Sequence, residues 1–288
     1  MQQFIEHLTY FEDARESTVA GYRERLKQFH EWLAEAERQV DDPLAWRDYW
    51  VSLKQRDLSS YTQRGHYYIL ARYGDWLVTR GVLDRNLMRS IRAPRLPKNA
   101  FPKAATVRDI ERIIEAAKKP RDRAVVLFMR DTGCRASEVI GMRWGDVDLE
   151  PGTVIITGKG NKQRKVFMVP ITMGAITAYR GTLTYEQCTP AAPVWWSLHR
   201  PPDHPTHPLT TRGLSWLLKR LGKTVKAKGP VNPHAWRHAF GRDTTKAGIP
   251  TAILRDLMGH SDIKVTQIYT SFDDDDLREA HRKYSPLR

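Results

Sequence analysis

The chain has 288 residues, more than one compact core usually needs and about right for two domains of ~100 to 200 residues each. It carries 47 Lys and Arg against 33 Asp and Glu, a formal charge of +14 and a pI near 9.8. Nine Trp, eleven Tyr and eight Phe supply enough apolar area to offset chain entropy, which excludes a disordered polypeptide. The longest apolar run, Ala124 to Met129, is far short of the ~20 residues of a membrane-spanning helix, so no membrane protein is expected. Glu6, Glu12 and Asp13 do not fit the basic-then-apolar pattern of a signal peptide, and a cytoplasmic, nucleoid-associated location is expected. Cys134 and Cys188 stand outside any Cys-x-x-Cys pair, which argues against a disulfide framework or thiolate zinc site and for two buried thiols.

The charge is unevenly placed. Residues 1–97 hold 15 basic and 14 acidic side chains, net +1, and residues 98–288 hold 32 and 19, net +13. Within the first part, residues 1–53 are net -5 and residues 54–97 net +6, so one segment offers a face to a polyanion. Clustered Lys and Arg at this pI are the electrostatic footprint of a nucleic-acid binder, shared with ribosome-associated and anionic-membrane proteins.

In chain order, Ser17 is placed to cap a helix with Val19, Tyr22, Leu26, Phe29, Trp32, Leu33 and Ala36 on one face. A second helix starts after Asp41 and Asp42 with Pro43 in its first turn and Trp46, Tyr49, Trp50 and Leu53 inward. A third runs from about Ser59 to Thr79, carrying Tyr61, Tyr68, Ile69, Tyr73, Trp76 and Leu77, and is ended by Gly81. A short fourth helix, Asp84 to about Ile91, completes a four-helix bundle over residues 1–92. Three prolines make 93–103 an extended basic linker. The second domain, 104–288, opens with a capping-box-like Thr106 and Asp109 before Ile110, Ile113 and Ile114. Ala124 to Asp131 reads as a buried helix. Thr153–Thr157, Lys159–Arg164 and Lys165–Val169 read as strand, polar turn and strand, with the basic residues at the tip. Six prolines make Thr189–Pro208 a surface loop with a short strand at Val194–Trp196. Leu209–Leu221, His234–Ala247, Thr251–Leu257 and Ile263–Tyr269 are predicted helices. The expected fold is mainly α with a small antiparallel sheet in the second domain.

The chemistry-bearing residues are scattered: Arg135 in Thr132-Gly-Cys-Arg-Ala-Ser-Glu138, Lys159 in the hairpin, His234-Ala-Trp-Arg237, Gly259-His260, and Tyr269 nine residues later. Each is weak singly. In their joint order and spacing, most visibly in Asn232-Pro-His-Ala-Trp-Arg-His-Ala-Phe240 and Leu257-Met-Gly-His-Ser-Asp-Ile-Lys-Val-Thr-Gln-Ile-Tyr-Thr270, the sequence resembles the tyrosine recombinase, or phage integrase, family over nearly its whole length. Trp236 stands where the family often has Leu.

The resemblance implies a helical core-DNA-binding (SAM-like) domain and a catalytic domain that form a C-shaped clamp on duplex DNA. It further implies site-specific recombination through 3′-phosphotyrosyl intermediates in a tetramer, assembled by the C-terminal helix after Asp273–Asp276. Because the chain starts directly with the clamp domain, it looks closer to Xer-type or simple recombinases than to integrases with an arm-binding module. By resemblance Tyr269 is the nucleophile, His234 the base, and His260 a hydrogen-bond donor to the phosphate. Arg135 and Arg237 offer planar forks of donors to the phosphate oxygens, where transition-state charge builds up. Loss of one such preorganised donor costs roughly 3 to 4 kcal/mol in rate. Glu138, one turn after Arg135, orients that guanidinium. Lys159 is read either as proton donor to the departing 5′ oxygen or, like Lys162, Arg164 and Lys165, as a grip on backbone phosphates. Lys219, Arg220 and Lys223 are further expected phosphate contacts.

No cofactor is expected. Gly152–Lys159 has the wrong glycine spacing for a phosphate-binding loop, and Gly160 stands where Ser or Thr should hold magnesium. His199, His204 and His207 near Cys188 show no zinc spacing. Two rivals stay open: a type IB topoisomerase-like or telomere-resolving enzyme of the same chemistry, and a non-catalytic DNA-binding regulator. The need for an accessory protein also stays open.

Overall fold

Side-chain caps decide where the helices of the first unit begin. In the computed structural model, which describes residues 1–96, 103–158, 162–198, 207–259 and 282, the chain divides into two units, Met1–Ala100 and Phe101–Arg288. The first contains α1 (Gln2–Tyr10), α2 (Glu16–Glu35), α3 (Pro43–Gln55), α4 (Ser60–Thr79) and one 3-10 turn at Leu87–Ser90. Asp42 accepts from the Leu44 N–H at 2.8 Å ahead of Pro43, and the Ser59 hydroxyl accepts from Thr62 at 3.1 Å, so α3 and α4 start where the sequence places them. Gly81, at φ +68°, closes α4 in the left-handed conformation.

Two expectations for this unit are corrected, the Ser17 cap and the fourth helix, and one helix is new. The helix assigned to Ser17 starts at Glu16, with Arg15 in the capping position. α1 was not expected; its Phe4, Ile5 and Leu8 are buried, and Phe4 packs against the rings of Tyr22, Tyr73 and Trp76. Tyr61 and Tyr68 are 55% and 49% exposed, because the inward stripe of α4 runs through Tyr67, Leu70, Tyr73 and Leu77. The fourth helix shrinks to one 3-10 turn. Its start is set by Asn86, which accepts from Met88 at 3.1 Å and donates to the Ala71 carbonyl and Asp75, each at 2.6 Å. Residues 97–102 of the expected linker lie outside the described residues.

The second unit contains α5 (Val107–Ala116), α6 (Pro120–Thr132), α7 (Ala136–Ile140), strands β1 (Val147–Asp148), β2 (Thr153–Thr157) and β3 (Gln163–Phe167), then α8 (Pro170–Arg180), α9 (Thr211–Thr224), α10 (Pro233–Lys246) and α11 (Thr251–Met258). The strands form an antiparallel sheet in the order β1-β2-β3. β3 starts two residues before the expected Lys165, with Thr157 opposite Gln163 and Ile156 opposite Arg164. Arg164 and Lys165 are therefore strand residues and not tip residues. Alternation sends Arg164 and Val166 to one face with Val154 and Ile156, and Lys165 to the other.

α6 is sheathed by the core, with Ala124, Val125, Val126 and Phe128 at zero exposure. The Pro-rich segment is not a surface loop over its described part: Val194 and Trp195 are fully buried, and Trp195 stacks on Tyr179 at 5.7 Å. Among its described residues, strand pairing is limited to single bridges, Arg143 with Pro193 and Trp196 with Pro208. Cys134 is buried, whereas Cys188 is half-buried. The predicted Ile263–Tyr269 helix and the C-terminal helix fall outside the described residues. Among the described residues, no helix is long and apolar enough to cross a membrane.

Gly74 gives a direct test of the packing in the first unit. In a helix interior Ala is ordinarily favoured over Gly by about 1 kcal/mol, but a Cβ at Gly74 would overlap the Asn86 carboxamide. Gly74→Ala is expected to destabilise by about 1 to 3 kcal/mol through overpacking and to lower the thermal midpoint. A raised midpoint would contradict the contact.

Candidate active site

Three short helical starts and ends deliver the site. Gly133 ends α6 at φ +59°, a conformation that L residues with a Cβ rarely adopt, and a Cβ there would also overlap the Phe240 ring. This turn places Arg135 at the start of α7. Asn232 caps α10 by accepting from Ala235 at 3.0 Å, and with Pro233 in the first position it sets His234 and Arg237 on the opening turns. Gly259 ends α11 at φ +63°.

Glu138 is the hub. Its side chain is 2% exposed and accepts four hydrogen bonds: Arg135 N at 2.8 Å, Arg135 Nη1 at 2.9 Å, and Arg164 Nη1 and Nη2 at 2.9 Å each. Burial alone would push its pKa up. The hydrogen bonds from Arg164 and from the Arg135 N–H, with the nearby guanidinium charges, overcome that and hold it at about 2. Arg164 responds in the opposite sense: burial works against its charge, and Glu138 raises its pKa. Cys134, beneath Arg164 Nη2 at 3.7 Å, is pushed up to about 11 by burial and stays a thiol at neutral pH.

The same guanidiniums close on three consecutive carbonyls at the end of α11. Arg164 Nε donates to Leu257 O at 3.0 Å and Arg237 Nη2 to Met258 O at 2.7 Å. Arg135 approaches Gly259 O with Nη2 at 3.3 Å and Nη1 at 3.4 Å. Arg237 also donates to Gly133 O at 2.7 Å. Carbonyls at a helix C-terminus carry the negative end of the helix dipole, so this is a cation-binding end in the electrostatic sense. Among Arg135, Arg164, Arg237 and Glu138, three cations face one anion.

Arg135, Ser137, Thr211, Pro233, His234 and Arg237 line a cleft of about 260 Å³. Arg237 is 4% exposed and the Arg135 side chain 36%. His234 is exposed and stacks on His238 at 6.0 Å. His238, not among the expected site residues, has a pKa lowered first by burial and then by His234 and Arg237. Two guanidiniums and an imidazole on its wall give the cleft a cationic lining.

Residues 103–275 match the family described as the phage integrase family. The chain belongs to the phage integrase family. It is a tyrosine recombinase, an enzyme of site-specific recombination. Tyrosine recombinase XerD of Neisseria meningitidis serogroup A is 29% identical over 279 residues, covering 94% of this chain and 92% of the relative. Tyrosine recombinase XerC of Pediococcus pentosaceus is 27% identical, covering 98% of this chain and 96% of the relative. Among solved structures, the Tn1549 transposon integrase in complex with a circular intermediate DNA superposes with a TM-score of 0.75 at 19% identity, each chain 98% covered. The XerH recombinase bound to its difH substrate gives 0.67 at 20% identity, covering 93% of this chain and 80% of that one. These two likenesses concern the fold.

Within the recombinase, the structure brings together Arg135, Glu138, His234 and Arg237. Lys159, His260 and Tyr269 lie outside the described residues. Lys162, Lys165, Lys219 and Lys223 are exposed. Arg220 lies over the Trp216 ring and donates to Asp122 at 2.6 Å, and Asp122 is also paired with Arg121. Arg164 is engaged inside the protein, unlike the exposed Lys162 and Lys165 with which it was expected to grip backbone phosphates. Among the described residues, no group of three or more His, Cys, Asp or Glu is placed to hold a metal ion.

The depressed Glu138 pKa ties stability to pH. A carboxylate that titrates at about 2 when folded and near its ordinary ~4.3 when unfolded contributes stability above the unfolded value and loses it as pH falls toward the folded one. Glu138→Gln is expected to be less stable than the parent by about 3 kcal/mol at pH 7, with the gap narrowing below pH ~4.5. Urea unfolding at pH 7, 5 and 3 reads this. A gap independent of pH would show that Glu138 is not held ionised.

Proposed function

We propose that the cleft lined by Arg135, His234 and Arg237 holds the scissile phosphodiester of duplex DNA, and that Tyr269 is the nucleophile. The observation that carries this reading is the convergence of two guanidiniums from separate elements on one cleft, with more cationic than anionic charge behind it.

The phenol oxygen of Tyr269 attacks phosphorus as its proton passes to a base, His234. The bond from phosphorus to the 5′ oxygen breaks, and Lys159 supplies the proton that oxygen takes up. The 3′ phosphate is then esterified to the tyrosine. A 5′ hydroxyl from the partner strand reverses the step and releases the phenol. One phosphate ester replaces another at each stage, so rejoining needs no nucleotide. Arg135 and Arg237 stabilise the charge on the non-bridging oxygens, His260 hydrogen-bonds one of them, and Glu138 keeps Arg135 oriented. Lys219 and Lys223, four residues apart on the exposed side of α9, contact backbone phosphates together with Lys162 and Lys165, and the net +6 segment of residues 54–97 contributes from the first unit. DNA as partner is supported by the Tn1549 integrase and XerH, whose structures hold DNA. A tetramer joined through the C-terminal helix is the assembly this reading implies.

A duplex carrying the protein's own protected site, mapped by footprinting and nicked beside the scissile phosphate, tests the reading. The parent is expected to form an adduct that survives denaturing electrophoresis, and Tyr269→Phe to bind the duplex and form none. Arg237→Lys is expected to bind and to cleave roughly 10²- to 10³-fold more slowly. An adduct with Tyr269→Phe would move the nucleophile to another residue.

A further inference from the structure

Arg164 differs from the other cations of its hairpin. Lys162 and Lys165 are exposed, whereas Arg164, on the inward face of β3, keeps 14% of its side chain exposed. Its guanidinium reaches both oxygens of Glu138 at 2.9 Å, the Leu257 carbonyl at 3.0 Å and the Cys134 sulfur at 3.7 Å. One planar group thus joins β3, α7 and the last turn of α11. The packing around it is close: a Cβ on Gly259 would stand 2.8 Å from its Nη1 and 3.0 Å from its Cδ and Cζ. At the root of the hairpin, the Cβ position of Gly158, the residue before Lys159, lies 3.5 Å from Glu138 Oε1.

We propose that Arg164 is a positioning residue for the cleavage reaction: through Glu138 it keeps Arg135 turned to the cleft, and through Leu257 it fixes the α11 end on which Arg135 and Arg237 rest. This deepens the reading of the cleft as a phosphate site and rests on it.

The shared oxygen carries the argument. Glu138 Oε1 accepts from Arg135 Nη1 and from Arg164 Nη1, both at 2.9 Å. Arg164 takes the bidentate geometry, and Arg135 is left with an end-on contact that lets its plane face the cleft. Without Arg164, the buried carboxylate has an open bidentate seat beside Arg135, and a guanidinium that takes it turns away from the cleft. Lysine fills the seat poorly, because a point charge cannot serve two carboxylate oxygens and a carbonyl in one plane. Direct phosphate contact by Arg164 is disfavoured on the same geometry, since its Nε, Nη1 and Nη2 each already donate to the protein.

The test compares parent, Arg164→Gln and Arg164→Lys on two nicked duplexes of the protected site. One carries the natural phosphodiester and the other a methylphosphonate at the scissile position, which lacks the charged oxygen that the guanidiniums serve. Adduct rates on both are read with a single preparation of each variant, so the folded fraction cancels in their ratio. Arg164→Gln is expected to lose on the order of 10²-fold on the phosphodiester and less than ~10-fold on the methylphosphonate, with Arg164→Lys between it and the parent. Equal losses on the two substrates, no loss on either, or failure of both variants to bind the duplex in gel shifts would each overturn the proposal. An absence of adduct from the parent on both substrates would instead remove the functional reading beneath it.

Discussion

A single ionised carboxylate, buried under guanidiniums, is the interaction on which this candidate active site depends. Removing a carboxylate from water costs several kcal/mol even after relaxation, and mutual attraction offsets that cost only with close geometry and every lone pair filled. Glu138 meets both conditions, with four donors within 2.9 Å. Replacing the whole set by well-packed apolar side chains would cost little stability, whereas removing one partner costs several kcal/mol, and the set is directional. A guanidinium that already donates to a fixed acceptor has few orientations left, and the loss of its freedom precedes substrate binding. The excess of cations over the one anion leaves positive charge at the cleft wall, where a phosphate can neutralise it.

Backbone ends complete what the carboxylate begins. Three successive carbonyls at the close of α11 receive Arg164, Arg237 and Arg135, so helix end and arginine cluster satisfy each other. Both turns involved need a left-handed residue, Gly133 and Gly259, and at each the space for a Cβ is already occupied, by Phe240 and by Arg164. These glycines serve the close approach of side chain to backbone as much as the turn itself. The arrangement also links the Gly259 carbonyl to Arg135, and His260 is its neighbour in sequence.

Much of this was legible in the residues. Helix starts at Asp42, Ser59 and Thr106 were legible, because a side-chain acceptor over free N–H groups is a local interaction. Arg135, His234 and Arg237 were singled out together, and they line one cleft. What escaped was non-local. α1 lacks a side-chain cap hydrogen bond, and its apolar face is recognisable only against the aromatic residues of α2 and α4. Thr106 behaves as a cap and meets the Asp109 side chain, but the same carboxylate also accepts from Gly229 N, 120 residues away in sequence, which no local pattern shows. The Pro-rich segment reads as a loop, yet Val194 and Trp195 fill the core beside Tyr179. Arg164 was within reach: stepping back by two from Val166 puts it on the inward face, and a basic residue there requires an acid partner. A strand start set at Lys165 hid it.

Guanidiniums held by Glu138 and the α11 carbonyls are fixed in the free protein, before any ligand is bound. Nitrogen-15 NMR of arginine-labelled protein without DNA measures this directly, because a guanidinium pinned by separate acceptors rotates slowly about its Cζ–Nε bond. Individually resolved Nη protons are expected for Arg164 and Arg237, and are lost from Arg164 on Glu138→Gln. A single averaged signal for both, like that of a solvent-exposed arginine, would contradict it.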